Sequence, residues 1–538
     1  MKLLFLKFSC IIALVLINQK IRAQAVVSNP MAIGLDCGAS TGKGFKVFSY
    51  VSSPVKTLAQ IGLNCTPSLS SPGFSPTGGS IAFSPADQKI YFIGTTTGNN
   101  SIIWSWTPGT CPTASQAAVY TYTNAFIVGL DFNPVTGDGY QVEFSTGSAP
   151  YDIYLRKITS FSPLTAGSPQ QIFLPAGVKI YSQNGDVVMT STGQMYFAFD
   201  NKLFTLDYSP YGTGTLNASY IDTIKGLGTN VKIVGLSYAN GKLIASASKN
   251  GSSCSYKEID VSTTPVSLAS VIAPIGTLVT NTFTSMDMAS LITGVGAAKK
   301  VFSVAKTGTN TYQVKYDIKV KNYGNVNLTS VQVTDDIKSV FGTSVFVSAS
   351  AAAVGTLPLG LSINSSYNGN SDINIFAAGG TMKATPQDSA TVRITVNLNN
   401  PSLSTVYKNS AKASATGSFF SINVSDLSKD DAGLDPDPNS NDVPDDTNED
   451  TPTPLVLSTW VVVLPLKVID FNAEADQGAN NLYWKIINDE HELQMNIQRS
   501  NDGKTFSSIK TMQCASAQDV QKYEWTDTSP LTGDNYYR

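Results

Sequence analysis

The 538-residue chain contains one histidine, His491, within the acidic run "NDEHELQ". That count excludes a histidine-rich zinc or iron site. A nucleophile system needs its base held by a structured scaffold, and this context reads instead as a solvated loop. None of the six cysteines stands in a C-x-x-C pair, so neither a zinc knuckle nor a dithiol redox motif is indicated. A phosphate-binding G-x-x-x-x-G-K-[ST] is absent, as is G-x-G-x-x-G after a strand. Charged residues make up only 14% and form no basic cluster. This argues against a nucleic-acid partner and against a polybasic membrane patch. Helix-period stretches are scarce as well.

What remains is β-rich: short apolar runs punctuated by Gly, Pro and Asn, with much Ser, Thr and Tyr. The N-terminus carries Lys2 and Lys7, an apolar run from Phe8 to Ile17, then Ala23 and Ala25. This reads as a secretory signal peptide over 1–23. The run is shorter than the roughly 20 residues of a spanning helix, which argues against a membrane anchor. Cleavage there leaves 32 basic against 39 acidic residues, a net charge of −7. Export permits disulfides, and Cys65 with Cys111 is the candidate pair. The mature chain holds five cysteines, so at least one stays unpaired.

Over 24–297 one local grammar recurs: a short apolar strand, a turn, a second strand. The copies are "SIAFSPADQKIYFIG", "GLDFNPVTGDGYQVE", "GDVVMTSTGQMYFAF" and "GLSYANGKLIASAS", with a partial "SMDMAS" and a diverged "GLDCGASTGKGFKVFSY". The apolar positions Ile81, Leu130, Val187, Leu236 and Met286 recur at steps of 49, 57, 49 and 50. Such a period fits the blades of a β-propeller, in which radial packing buries the sheet faces that one copy cannot bury alone. The expectation is an all-β chain: a propeller of five or six blades followed by two β-sandwich modules. The partial last copy predicts ring closure by strands from both ends of the region; a pair of sandwiches is the alternative. The motifs "GLDFNP.TGDGY", "NGDVVMTSTGQMYFAFDNKLFTLD" and "SMDMAS" resemble a propeller-like domain of secreted bacterial surface proteins.

Residues 298–429 alternate apolar and polar, as in "TYQVKYDIKVKNYGNVNLTSVQVTDDI" and "ATVRITVNL". With "YNGNSDINIFAAGGTM" and "YKNSAKASATG", this segment resembles the conserved repeat domain of bacterial adhesin-like proteins. The resemblance implies an immunoglobulin-like sandwich with spacing and adhesion roles. Residues 430–456 form an acidic stretch, with nine of the residues from Asp430 to Asp450 acidic. It reads as an extended solvated linker. A calcium loop is the other reading, with Asp435, Asp437, Asn439, Asn441 and Asp446 as oxygen ligands. Ser440 stands where such a loop takes glycine, and Pro436 and Pro438 stiffen it.

The last module, 457–538, carries "LPLKVIDFNA", "LYWKI", "IQRSNDGKTFSSI" and "YEWTDTSPLTGDNYYR". It resembles the fibronectin type III-like module that precedes the sorting signal of proteins exported by the type IX secretion system. That resemblance implies delivery across both membranes by the type IX machinery. It also implies that the chain continues beyond "NYYR".

Three acidic residues, Asp36, Asp131 and Asp287, read as equivalent in "GLDC", "GLDF" and "SMDM". They can tie down backbone N–H groups, converge on a cation or sugar hydroxyl, or act as an acid–base pair. Trp104 and Trp106 share one face of "SIIWSWTPG", where paired indoles either stack on sugar or fill space between blades. Tyr120 and Tyr122 carry the same ambiguity. The expectation drawn from all this is an exported, non-enzymatic surface protein. Its propeller would recognise a glycan or a surface protein, with no cofactor other than calcium. The alternatives are a polysaccharide-acting propeller enzyme with a carboxylate pair and a structural matrix component.

Overall fold

The computed structural model describes residues 31–538 except 36–44, 52–56, 66–73, 97–99, 109–119, 123–125, 162, 225–226, 228–229, 240, 250–253, 260, 262–270, 276–286, 440–443, 445–448, 461–466, 489–492 and 515–516. Internal packing divides it into two units. The first is a five-bladed β-propeller with a β-sandwich packed on it; the second, essentially Val456–Arg538, is another sandwich.

The ring closes as the partial last copy predicts. The inner strand of blade 1 is Met288–Leu291, from the end of the region, and it pairs antiparallel with Met31–Leu35 from its beginning. Phe45–Val51 and Thr57–Cys65 complete that blade. Blade 2 runs from Phe74–Ser84 to Tyr120–Tyr122, and blade 3 from Phe126–Phe132 to Gln170–Phe173. Blade 4 runs from Gly185–Met189 to Leu216–Thr223, and blade 5 from Val231–Ala239 to Val271–Ile275. Neighbouring inner strands touch all the way round. The long step of 57 between Leu130 and Val187 has a physical cause. Blade 3 carries an extra short strand, Leu164–Ala166, paired to Ile153–Phe161.

Each blade buries both faces of its sheet against its neighbours, which is why the repeats cannot stand alone. Tyr91, Ile93 and Ile103 of blade 2 pack on Leu130, Phe132 and Ile158 of blade 3. On blade 3's other side Val142 and Phe144 meet Phe197 and Phe199 of blade 4. Leu203 of blade 4 then joins Leu236 and Leu243 of blade 5.

In the first sandwich, Thr311–Asn322 alternates strictly, burying Val314, Tyr316, Ile318 and Val320. Its turn at Asn322–Asn327 inserts against the propeller, at the end where the inner strands finish. Asn325 accepts from Ile292 N at 2.7 Å and donates to Ser290 O at 2.7 Å. Gly324 sits so close that an added Cβ would overlap the carbonyl oxygen of Ile292. Gln88 of the blade 2 hairpin clasps the same turn, through Asn325 O and Asn327 N. Phe419 packs edge-on against Phe83 of blade 2. The two parts form one packed body.

The acidic stretch corrects the linker expectation. Among its described residues Asp437 and Glu449 are buried, and Asp435 accepts from the Tyr323 hydroxyl at 3.3 Å. Thr453–Leu455 pairs antiparallel with Tyr407–Asn409. The chain here folds back on the sandwich, because main-chain pairing and apolar contact from Leu434 and Pro444 outweigh the self-repulsion of the charges.

In the second unit, Leu482, Trp484, Ile486 and Ile497 form a core capped by Phe471, Trp525 and Tyr537. Tyr536–Tyr537 pairs with Arg499–Ser500, and Asp527 accepts from both Arg499 and the Tyr537 hydroxyl.

Tight packing between inner strands gives a direct test. A Cβ on Gly129 would lie 2.7 Å from Val187 N and 2.8 Å from Asp186 Oδ1. We expect Gly129→Ala to lower stability by about 1–3 kcal/mol in urea denaturation. Gly147→Ala, where nothing lies within 4 Å, should stay within about 0.5 kcal/mol.

Candidate functional site

At the propeller axis side-chain oxygens from one blade accept backbone N–H groups of the next. Asp287 Oδ2 accepts from Ile81 N at 2.8 Å. Ser80 Oγ accepts from Leu130 N at 3.0 Å, and Asp186 Oδ2 from Leu236 N at 2.7 Å. Asp131 Oδ2 does the same for Met189 N at 2.7 Å. These bonds fix the true register of the repeat. Ser80, Gly129, Asp186, Gly235 and Asp287 are equivalent, each directly preceding the apolar repeat position of its inner strand; at Ile81, Leu130 and Leu236 that position receives the bond. Asp131 therefore lies two residues further along its strand than Asp287 does, and the equivalence expected from "GLDF" and "SMDM" is corrected by one pleat. By the same register the fifth apolar repeat position is Met288 rather than Met286. Asp36 lies outside the described residues. Asp186 is the member that sequence reading missed; its signal is the "GD" opening of "GDVVMTSTG", with the acid directly before the apolar position.

Asp186 and Asp287 are both buried and hydrogen-bonded to each other. Burial drives the Asp186 carboxyl well above the usual carboxylate range, and the charge of Asp287 adds to this. Two carboxyls this close share a proton rather than ionise together. Asp131 is half-buried and pushed up to about 7. Burial is the main cause; the N–H groups of Met189 and Phe132 oppose it, and Asp287 contributes. Asp131 lines an axial cavity of about 20 Å³ shared with Ser191, Tyr238 and Tyr323. That volume holds about one water. The axis thus serves as the bonding column of the ring, and its cavity does not admit a sugar.

A wider concavity lies between blades 3 and 4, with a volume of about 770 Å³. Tyr208 and Tyr211 form an aromatic wall backed by the buried Tyr140, whose ring centroid lies 4.8 Å from Tyr208 and 6.5 Å from Tyr211. The Tyr208 hydroxyl is fixed by Gly193 O at 2.5 Å and Asn133 Nδ2 at 2.7 Å. The Tyr211 hydroxyl donates to Ser168 O at 2.6 Å. Asp138 is paired with Lys157 at 2.8 Å. Asp207 accepts from Ser209, which holds its carboxyl below the ordinary range. Gln194 and Thr192 complete a polar rim. The walls come from the hairpin turns "NPVTGDGY" and "TSTGQMY" and from the loop "LDYSPYG". Two tyrosines three residues apart beside a Gly-Pro-rich turn were the legible signal for this cleft.

Trp104 and Trp106 do not form a rim. Both are buried, packed with Phe92, Ala289, Leu291 and Val326 where blades 1 and 2 meet the first sandwich. The sugar-stacking expectation for them is overturned by simple burial. The side chains of Cys65, Tyr120 and Tyr122 lie outside the described residues, as do Cys111, His491, Asn441 and Asp446. Of the calcium set, Asp435 Oδ1 is used by Asp437 N. Among the described residues no three His, Cys, Asp or Glu side chains group as metal ligands.

No family model matches the chain, and no curated protein matches it. It is similar to solved propeller structures. A mutant of the GH43 protein BlXynB from Bacillus licheniformis is 9% identical, with 87% of this chain and 96% of that one covered and a TM-score of 0.29. A GH43 endo-arabinanase from the same organism is 16% identical over 45% of this chain and 88% of that one, TM-score 0.25. The Nup133 β-propeller domain of Vanderwaltozyma polyspora is 9% identical over 41% and 69%, TM-score 0.23. At these values the likeness is one of fold. Because glycoside hydrolases stand among these propellers, the non-enzymatic assignment expected from the sequence is withdrawn.

The axial carboxyls make the ring pH-sensitive. Raised folded-state values mean that the folded chain keeps protons which the unfolded chain releases above about pH 4. Their contribution is present in acid and lost as pH rises through about 7 for Asp131. We expect the wild-type melting temperature to fall between about pH 5 and about pH 8, with Asp186→Asn flattening that slope because an amide can donate to Asp287. Parallel profiles in a calorimetric pH series would contradict this assignment.

Proposed function

We propose that the protein acts on polysaccharide, with a stretch of sugar chain lying in the cleft between blades 3 and 4. The observation that carries this reading is the pair of half-buried rings, Tyr208 and Tyr211, backed by the buried Tyr140 and facing a polar rim in an open space of about 770 Å³. Pyranose rings present apolar faces that stack on aromatic rings, and equatorial hydroxyls that need planar acceptors and donors. Tyr208 and Tyr211 are held by their hydroxyls, so the plates are pre-set before a ligand arrives. Asp138 and Asp207 suit the acceptor role toward hydroxyls, and an ionised carboxylate in the cleft suits the base half of glycoside cleavage. Export by the route expected from the sequence belongs to the same proposal, since polysaccharide of the cell exterior is the substrate such a protein would meet.

The test is incubation of the purified chain with a panel of soluble plant and bacterial polysaccharides, read by affinity electrophoresis and by release of reducing ends. We expect retention by at least one polysaccharide, weakened about fivefold or more in Tyr211→Ala, equivalent to about 1 kcal/mol. Reducing-end release should fall with Asp138→Asn. Retention that is equal in wild type and both variants would overturn the cleft assignment.

A further inference from the structure

Lys299 is fully buried, an unusual place for an ammonium group. It lies on the first strand of the sandwich, Val295–Gly308, and its Nζ meets Asp335 Oδ2 at 2.5 Å with neither side chain exposed. Tyr316, itself buried, covers the lysine, with Nζ 4.7 Å from its ring centroid. Asn409, from the strand Tyr407–Asn409, stands near enough to the same carboxylate to favour its charged form. The contact falls short of hydrogen-bond geometry: buried Asn409 leaves both Oδ1 and Nδ2 without a partner, and Asp335 Oδ1 has none either. Buried amides are normally satisfied, and each exception needs a physical reason. The backbone holds the two partners together. Thr453 is the register partner of Asn409, and its hydroxyl donates to Lys299 O at 3.1 Å.

We propose that Lys299 and Asn409 join covalently, as an intramolecular amide formed by the folded sandwich itself with Asp335 as the acid–base group. The reaction needs no cofactor and balances within the triad. A proton passes from the Lys299 ammonium to Asp335, leaving a neutral amine. Asp335 then hydrogen-bonds Asn409 Oδ1 and makes Cγ electrophilic. Nζ attacks Cγ, forming the Nζ–Cγ bond. The tetrahedral species passes a proton through Asp335 to Nδ2, the Cγ–Nδ2 bond breaks, and ammonia leaves. The net change is lysine ammonium plus asparagine amide giving a secondary amide plus ammonium.

The surroundings favour each step. Burial pulls the lysine below its ordinary value, against the opposing pull of Asp335, so the neutral nucleophile is accessible. Burial raises Asp335, with Lys299 and Asn409 opposing, so it can hold the proton it must carry. Asn409 spends neither side-chain atom on another partner, and burial of all three side chains keeps bulk water from the site. The product replaces a costly buried ion pair with a neutral bond. It also staples the first strand of the sandwich, which continues directly from the propeller, to a strand 110 residues later (299 to 409). A pull along the chain would then pass through the covalent bond rather than through strand pairing.

The experiment is peptide mapping of the full mature chain by tandem mass spectrometry after trypsin. The expected result is a branched peptide in which the segment containing Lys299 is joined to that containing Asn409, lighter by one ammonia than the two parts. Total mass alone does not decide, since an N-terminal glutamine such as Gln24 also loses ammonia on cyclising. Asp335→Asn should give the two linear peptides at their full masses. Lys299→Arg should do the same, and circular dichroism of both variants establishes that they fold. Linear peptides from the folded wild type, after prolonged incubation at neutral pH, would overturn the proposal. So would a branched peptide that persists in full yield in Asp335→Asn.

Discussion

Five inner strands must be held around an axis although, among the described residues, no two of them pair: between blades only outer strands hydrogen-bond, Gln170–Phe173 with Leu216–Thr223 and Thr57–Cys65 with Val271–Ile275. The backbone N–H groups that face the axis still need acceptors. In this propeller short polar side chains supply them: Asp287 for Ile81, Ser80 for Leu130, Asp131 for Met189, and Asp186 for Leu236. Everything else in the first unit follows from that solution. Glycine is required at Gly129 because the Asp186 carboxylate occupies the space a side chain would need. Crowding several carboxyls into one column raises their pKa values, so the column is strongest when part of it is protonated.

The lower end of the same column explains how the sandwich is attached. The strands stop at Leu291, and the Tyr323–Asn325 turn supplies the next acceptors and donors in line. A side-chain amide thus continues the bonding scheme that the aspartates begin. That mouth is closed, and the axial cavity beside it, among the described residues, is the size of a water, so the proposed sugar site lies outward, at the hairpin turns between blades 3 and 4. The buried lysine lies eight residues after Leu291, at the start of the sandwich (291 to 299), so the same short segment carries ring closure, docking and the covalent staple.

Much of the architecture was legible because blade repeats have a period, and the recurring Ile81, Leu130, Val187 and Leu236 marked the inner strands directly. The closing strand was visible but misread by two residues, since "SMDM" offers apolar residues on both sides of its aspartate and strand alternation accepts either. Function was less legible, for a physical reason in each case. Trp104 and Trp106 looked like a binding face because a strand has two faces, and sequence does not say that both are buried in a propeller. The tyrosine cleft gathers side chains from two hairpin turns and a loop, and of these only the paired tyrosines of "LDYSPYG" left a mark in the sequence. The triad of Lys299, Asp335 and Asn409 is invisible to pattern reading, as Lys299 and Asn409 are ordinary in their strands, Asp335 follows directly after another, and only folding desolvates all three. The acidic stretch was judged on charge density, while pairing of Thr453–Leu455 with Tyr407–Asn409 decided its fate.

The central claim is that axial side chains, not pairing between inner strands, tie neighbouring blades together at the axis. Residue-resolved amide hydrogen exchange of the native chain addresses it most directly. The account predicts that the N–H groups of Ile81, Leu130, Met189 and Leu236 exchange only with global unfolding of the propeller, and that the amide of Leu236 alone gains a faster local route in Asp186→Ala. Fast exchange of these four amides in the wild type, on the scale of an exposed loop position such as Gly147, would contradict it.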